Sequence, residues 1–414
     1  MGFNGLQGLR VSVPLIPRPF IDYFPHLILL PGNRSSMHIL IAPNAYKNSL
    51  DAGAVAAAIR KGLEQSKLGC TTTLFPIGDG GDGTGELIIQ QLKGKLIKTR
   101  VKGPLGRKIS SSFGLIDNGK TAVIEMANAS GLRLLKPGEL DPLHANSFGT
   151  GEMIKQALDK NITKIIMCVG GSATVDGGTG ILRALGFRFL NKNKKLVDNL
   201  PENLADVDLI DTSAIDQRIM NCEVIILCDV KNKLLGNDGA AAVFGPQKGA
   251  SPKDVKKLEA ALSAFSKLIL KTTGKDISAI EHGGAAGGVV AGLFALINAK
   301  PVNGIDHYLS LTGFDNELER ADLVITGEGS IDEQTLQGKG PFGVARKAKE
   351  KGLPVIAIAG KIPLKISAGL QKYFDVLLSI NHQAMQLSEA LAHTRDNLVR
   401  TARSVGDLLA LERR

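Results

Sequence analysis

The chain reads as an α/β protein built on a parallel sheet, with a mixed β segment set into its middle. Three observations lead there. Near both ends, short apolar runs alternate with stretches of helical periodicity, the rhythm of strand–helix–strand units. Between residues 95 and 126 that rhythm gives way to three short runs separated by turn residues, the pattern of an antiparallel meander. Several apolar runs also end in loops rich in glycine and acid, and open α/β sheets collect ligands outside the carboxyl ends of their strands.

The elements follow in order. His38 to Ala42 is a strand feeding the loop Pro43-Asn44-Ala45-Tyr46-Lys47-Asn48-Ser49. Ala52 to Leu63 is an alanine-rich helix with Val55, Ala58, Ile59 and Leu63 on one face. Thr71 to Ile77 is a second strand, followed by Gly78-Asp79-Gly80-Gly81-Asp82-Gly83 and a helix over Leu87 to Leu92. The meander comprises Lys95 to Lys102, Lys108 to Leu115 and Lys120 to Met126. A helix with Met153, Ile154, Ala157 and Leu158 on its core side leads to the strand Ile165 to Val169. The turn GGSATVDGG (170–178) and a helix carrying Ile181, Leu182, Ala184 and Leu185 come next.

Glu223 to Cys228 is a buried strand ending in Asp229. Ser251-Pro252-Lys253-Asp254 is a capping box with proline at the first helical position. It opens a helix whose core stripe is Val255, Leu258, Leu262, Phe265 and Leu268. Gly283 to Leu296 reads as a small-residue helix after a glycine turn. The α/β rhythm then returns: strand Asp322 to Thr326, helix Phe342 to Lys351, strands Pro354 to Ala359 and Phe374 to Ile380, and a final helix from about Ser388.

At 414 residues the chain exceeds what one core usually serves, so two domains are expected. Because the first and last thirds read alike, 37–95 together with 295–414 is expected as one discontinuous domain, with 96–294 as an inserted mixed α/β domain. Residues 1–36 hold Pro14, Pro17, Pro19, Pro25 and Pro31 and no lysine. They read as a disordered leader or an over-extended start.

Composition narrows the function. A net charge of +10 suits a small anionic substrate, and its lysines and arginines are scattered among acids rather than gathered into a nucleic-acid surface. Aromatic content of 4 % with no tryptophan argues against base-stacking platforms. Cys70, Cys168, Cys222 and Cys228 lack metal-ligand spacing, so a reduced, cytoplasmic protein is expected. No apolar run reaches the length of a membrane span.

Chemistry concentrates in the turns. In GGSATVDGG, free N–H groups at a helix start suit an anion, and Ser172, Thr174 and Asp176 add hydroxyls and a carboxylate; the alternative is a tight strand–helix turn without a ligand. The 78–83 loop matches G-x-G-x-x-G formally. Two carboxylates inside it would repel a pyrophosphate, however, and no acid closes the following strand to hold a ribose, which disfavours a dehydrogenase. Asp79 and Asp82 make better sense as Mg²⁺ or Mg²⁺-water ligands, or as an Asx-turn pair. Thr326-Gly327-Glu328-Gly329-Ser330-Ile331-Asp332 repeats the theme, and Asp229 holds an equivalent position. Lys47, Lys248 and Lys339 are the candidate anion partners, each with the alternative of an ordinary surface lysine. P-loop and protein-kinase signatures are both absent.

These turns together resemble the glycerate kinase type-1 family. The resemblance rests on APNAYKNSL at 42–50, DGGDGTGE at 79–86, GPLGR at 103–107, AVIEMANASGL at 122–132 and GTGE at 149–152. It continues through GGSATVDGG, Cys228-Asp229-Val230, FGPQKGA at 244–250, GAAGG at 284–288 and ITGEGSIDEQT at 325–335. It implies an ATP-dependent kinase of D-glycerate giving 2-phosphoglycerate, with ATP and Mg²⁺ as cofactors. It also implies a two-domain α/β protein with one Rossmann- or flavodoxin-like domain and an active site in the cleft between the two.

On this resemblance Asp176 or Asp229 is expected as the base, Asp79 and Asp82 as metal-side carboxylates, and Lys47 and Lys248 as anion partners. Gly170, Gly171, Ser172 and Thr174 are expected to cradle phosphate or carboxylate. Gln247, Glu328 and Asp332 complete the expected binding set. The family's first loop, APDSFKGSL, here carries Asn44, Ala45, Tyr46 and Asn48 in place of its Asp, Ser, Phe and Gly. Val175 stands where Asn is usual and Ser330 where Arg is usual. The alternatives are a kinase of a related hydroxy acid, a 3-phosphoglycerate-forming enzyme, or a ligand-binding module on the same fold. Partners are expected to be small molecules, not nucleic acid or membrane, and the chain a monomer or homodimer.

Overall fold

The computed structural model describes residues 36–411, so the expected leader lies outside the described residues but for Ser36. In chain order the strands are β1 (Met37–Ile41), β2 (Cys70–Leu74), β3 (Lys95–Lys102), β4 (Lys108–Ile116), β5 (Thr121–Glu125) and β6 (Lys164–Cys168). There follow β7 (Arg188–Leu190), β8 (Leu209–Asp211), β9 (Glu223–Cys228), β10 (Lys300–Asn303), β11 (Leu323–Ser330), β12 (Val355–Lys361) and β13 (Val376–Ser379).

Two sheets carry the architecture. The first has the order β13-β12-β11-β1-β2 and is parallel throughout. The second has the order β10-β9-β6-β5-β4-β3, parallel from β10 to β5 and antiparallel where the meander begins. The α/β class, with one parallel and one mixed sheet, is the one read from the sequence. β10 at 300–303 pairs with β9, so the second sheet draws its last strand from beyond residue 294. The β7–β8 pair is a separate antiparallel ribbon that the sequence pattern does not announce.

Alternation within strands explains how the layers meet. In β5, Ala122 and Ile124 join one core while Val123 joins the other. In β6, Ile165 and Met167 face the first core, and Ile166 and Cys168 the second. β9 divides likewise, with Ile226 on one side and Ile225 and Leu227 on the other. Strands buried on both faces must be apolar at every position, which is why these three read as unbroken hydrophobic runs. The second core also holds Leu40, Val324, Ala357 and Val344, so it takes side chains from both sheets.

The capping box at Ser251 forms as expected: its hydroxyl accepts from the Asp254 N–H at 3.2 Å, and the helix Pro252–Thr273 follows. The small-residue helix spans Ala285–Ile297, with Ala286, Gly287 and Gly288 in the left-handed region at its start. The last helix is two, Leu387–Ala392 and Thr394–Leu409. β11 departs most from expectation. Instead of ending at Thr326 it runs on through the glycine-rich segment, because β12 pairs with it as far as Ser330 opposite Lys361. Glu328 therefore stands on a strand rather than in a loop.

Candidate active site

Loops from both sheets meet at the carboxyl ends of their strands. The 78–83 loop, following β2, lies against the turn after β6: the Gly170 N–H donates to the Gly80 carbonyl at 3.0 Å. A Cβ at Gly170 would come within 2.4 Å of the Gly81 Cα, so only glycine permits this approach. The contact brings Asp79 and Asp82, on the first sheet's loop, to the second sheet's strand ends, where Glu125 closes β5 and Asp229 follows β9.

The central group is Asp79, Asp229, Glu328, Lys47 and Lys339. Asp79 is 9 % exposed, and its Oδ2 accepts from Asn44 Nδ2 at 2.9 Å. Gly81 lies between two of the acids; a Cβ there would be 3.1 Å from Asp79 Oδ1 and 4.0 Å from Asp229 Oδ2. Burial and then the Asp79 charge push the Asp229 carboxyl up to about 6, against the pull of Lys47 and Lys339. Burial likewise pushes Glu328 up to about 7, with Lys339 pulling it down and Asp79 pushing it further up. The Thr335 hydroxyl donates to Glu328 Oε1 at 3.0 Å. Beneath this group, Tyr46 is buried with its hydroxyl donating to the Ile358 carbonyl at 2.7 Å, and burial drives its phenol far above the usual range.

A second group sits on the same loop. Asp82 pairs with Arg133 at 3.0 Å. Glu125, nearly fully buried, accepts the Gly83 N–H through Oε1. Burial, then its hydrogen bond with Asp82, raises the Glu125 carboxyl to about 7.

The third group is the 170–178 turn. Asp176 is fully buried, and its Oδ2 accepts from the Ser147 N–H at 2.8 Å, the Ser147 hydroxyl at 2.7 Å and the Gly180 N–H at 3.1 Å. Its Oδ1 accepts from the Gly178 N–H at 3.1 Å. Lys248 is only 2 % exposed; its Nζ donates to Ser172 Oγ at 2.9 Å and to the Thr174 carbonyl at 2.7 Å. Burial pushes its ammonium down to about 7, with the Asp176 charge opposing. Ser172 is buried and Thr174 fully so, with the Thr174 hydroxyl lacking a hydrogen-bond partner among the described residues.

The structure thus gathers Lys47, Asp79, Asp229 and Glu328 into one electrostatic group and sets Asp82 beside Gly171, whose Cβ would lie 3.3 Å from the Asp82 carboxylate. It separates others. Gln247 is exposed. Asp332 caps the short helix Glu333–Gln337, accepting the Gln334 N–H at 2.9 Å. Lys248 bonds to Ser172 and to the Thr174 carbonyl, and Asp176 to Ser147, Gly178 and Gly180, so these groups are spent within the protein. Glu125 and Arg133 were not among the expected site residues. Glu125 carried a signal, an acid one residue short of the end of the expected run Lys120 to Met126, inside AVIEMANASGL.

Loops bearing carboxylates and lysines meet at the carboxyl ends of two α/β sheets, the place where proteins of the α/β class take small ligands. Comparison narrows this. A sequence model described as the glycerate kinase family matches residues 39–410, and the chain belongs to that family. It is 43% identical over 376 residues to a glycerate kinase of Haemophilus influenzae, covering 91% of this chain and 100% of that one. It is 40% identical over 375 residues to the glycerate 2-kinase of Escherichia coli K12, covering 91% and 98%. A crystal structure described as glycerate kinase 2 from Salmonella typhimurium LT2 superposes with a TM-score of 0.77 at 40% identity, covering 91% of this chain and 99% of that one. No helix among the described residues is long and apolar enough to cross a membrane.

Proposed function

We propose that this enzyme, a glycerate kinase, transfers the γ-phosphoryl group of ATP to the 2-hydroxyl of D-glycerate. The observation that carries the reading is the convergence of Asp79, Asp229 and Glu328 with Lys47 and Lys339. Phosphoryl transfer asks for little covalent chemistry from a protein; it needs alignment of hydroxyl and phosphorus, charge neutralisation and a group to take the hydroxyl proton.

Asp229 suits the proton acceptor. It is partly exposed, and with its carboxyl raised to about 6 it is ionised at neutral pH yet basic enough to take a proton. Asp176 does not suit it, since four hydrogen bonds and complete burial commit its carboxylate to the turn. Lys47 is exposed, and with Lys339 it serves the phosphates and the acid's carboxylate. Asn44 holds Asp79 in place, so the residue standing where the family usually has an acid orients one instead.

Mg²⁺ asks for one or two carboxylates, with water and phosphate oxygens filling its other positions. Among the described residues no group of three or more His, Cys, Asp or Glu is placed to hold an ion, so these residues offer no all-protein cage. Asp82 is engaged by Arg133, whereas Asp79, held by Asn44, is the carboxylate left to meet an ion arriving with the nucleotide, and Asp229 is kept for the proton. When bound, the ion would neutralise charge on the phosphoryl oxygens.

We further propose that the two sheets mark two lobes, with the chain passing back to the first after β10. Phosphorus NMR of the product formed from ATP and D-glycerate tests the reaction: a 2-phosphoglycerate resonance is expected. A 3-phosphoglycerate resonance would correct the position of transfer, and no new phosphoester would overturn the reading.

A further inference from the structure

We infer that the groove between the starts of the helices Ala52–Glu64 and Thr84–Gln91 holds the nucleoside of ATP, not its phosphates and not the acceptor acid. This rests on the phosphoryl-transfer reading and adds to it the side from which the nucleotide enters.

Location comes first. Asn44, which holds Asp79, and Asp82 both line the groove, so its inner end opens onto the reacting group. Its volume is about 250 Å³. That is slightly below the roughly 300 Å³ at which whole-ligand pockets begin, the size for part of a ligand whose remainder lies outside.

Charge then decides which part. Asp51, Asp82 and Glu86 line the groove and, among the described residues, no lysine or arginine does; Arg133 answers Asp82 from outside the lining, which leaves Asp51 and Glu86 to set its charge. A triphosphate or a glycerate carboxylate would meet like charge there. Such pairs repel even in bulk water, and several times more strongly near a protein surface. A nucleoside carries no charge, and its sugar hydroxyls and exocyclic amine are donors, the complement of carboxylates. Asp51 Oδ1 is taken by the Ala54 N–H at 2.7 Å, which leaves Oδ2 to accept. Glu86 is steadied by Gln90, whose amide donates to its Oε1 at 3.1 Å. The partly exposed Leu87 supplies apolar wall for a flat ring. From this seat the phosphates extend inward to Lys47 and Lys339, the cations the groove itself lacks.

The test fills the groove. Leu87→Trp and, at an exposed position, Gln90→Trp are compared with wild type in steady-state kinetics and in calorimetric titration with adenosine, which has no phosphate. Expected are a rise of about tenfold or more in KM for ATP, KM for D-glycerate within about twofold, and adenosine binding to wild type that both variants lose. A rise confined to KM for D-glycerate would place the acceptor acid in the groove and overturn the inference. Unchanged kinetics with unchanged adenosine binding would overturn it too. Should wild type fail to phosphorylate D-glycerate, the reaction reading falls, while adenosine titration of wild type and Gln90→Trp still decides the groove.

Discussion

The Lys248 ammonium donates to the Ser172 hydroxyl at 2.9 Å from a position almost sealed from solvent. With its second bond to the Thr174 carbonyl, it braces the 170–178 turn from below. Its reach is spent on the turn, so it acts through the turn rather than on a bound anion. Lys248→Met removes both donors while keeping the stem's bulk. The expected outcome is a fall in kcat/KM of about ten- to a hundredfold, the kinetic counterpart of 1–3 kcal/mol for polar groups left unpaired. Lys248→Arg should recover part of it.

Stability should move differently with pH. The folded-state pKa of Lys248, about 7, lies below the roughly 10.4 of an unfolded lysine. Between those values the unfolded chain binds more protons, so the wild type gains stability as pH rises from about 7 to about 10. The methionine variant lacks this gain. Thermal melts at pH 6.5 and 9.5 should show the variant most favoured relative to wild type at the lower pH; a constant offset would show that Lys248 does not titrate in this window.

Asp229 and Glu328 have the opposite sign. Their carboxyls are raised to about 6 and about 7, above the unfolded values near 4, so the folded chain holds protons that the unfolded chain has released. Stability falls as pH rises from about 4 to about 7. Asp229→Asn should therefore melt higher than wild type at pH 8 and lose that advantage at pH 4. Its kcat should fall by about 10²–10⁴, the usual worth of a positioned proton acceptor. In wild type, kcat/KM should decline below about pH 6. Near-wild-type turnover by the variant would remove Asp229 from the chemistry.

Much of this was legible because the signals are local. A strand ending in glycine and acid is visible in sequence, and Asp79, Asp229 and Glu328 each carried that mark. What was not legible depends on contacts between distant segments. Nothing near Asp176 tells that Ser147, from another helix start, closes over it; nothing in PQKG tells that Lys248 turns inward. Glu125 lay one residue short of the end of an expected strand, but its pairing with the 78–83 loop exists only because two sheets meet there. Even the end of β11 was set by its neighbour β12 rather than by its own glycines.

Gly170 tests that meeting directly. Gly170→Ala would place a methyl 2.4 Å from the Gly81 Cα, so the 78–83 loop must move away from the end of β6. Each sheet keeps its own strands, so the expected result is a protein of nearly normal melting behaviour with kcat reduced at least tenfold. Circular dichroism melts and steady-state kinetics check the two halves of that statement. Full activity would mean that the loop contact is dispensable.

Asp176→Asn separates an anchor from a base. The carboxylate accepts four hydrogen bonds from N–H and O–H donors in a fully buried site. An asparagine amide presents two N–H groups where the carboxylate presented lone pairs, so at least one donor is left facing another donor. Hydrogen bonds to a charged acceptor contribute about 1.5–3 kcal/mol each, and an unsatisfied buried group costs a similar amount. A loss of about 3 kcal/mol in unfolding free energy is expected, seen as a lower midpoint in urea. Because the effect is structural, Ser147→Ala, which removes one donor from the same carboxylate, should give a smaller loss in the same direction. A base would behave otherwise: Asp176→Asn would unfold at the wild-type midpoint, with its whole defect in kcat and a changed pH profile.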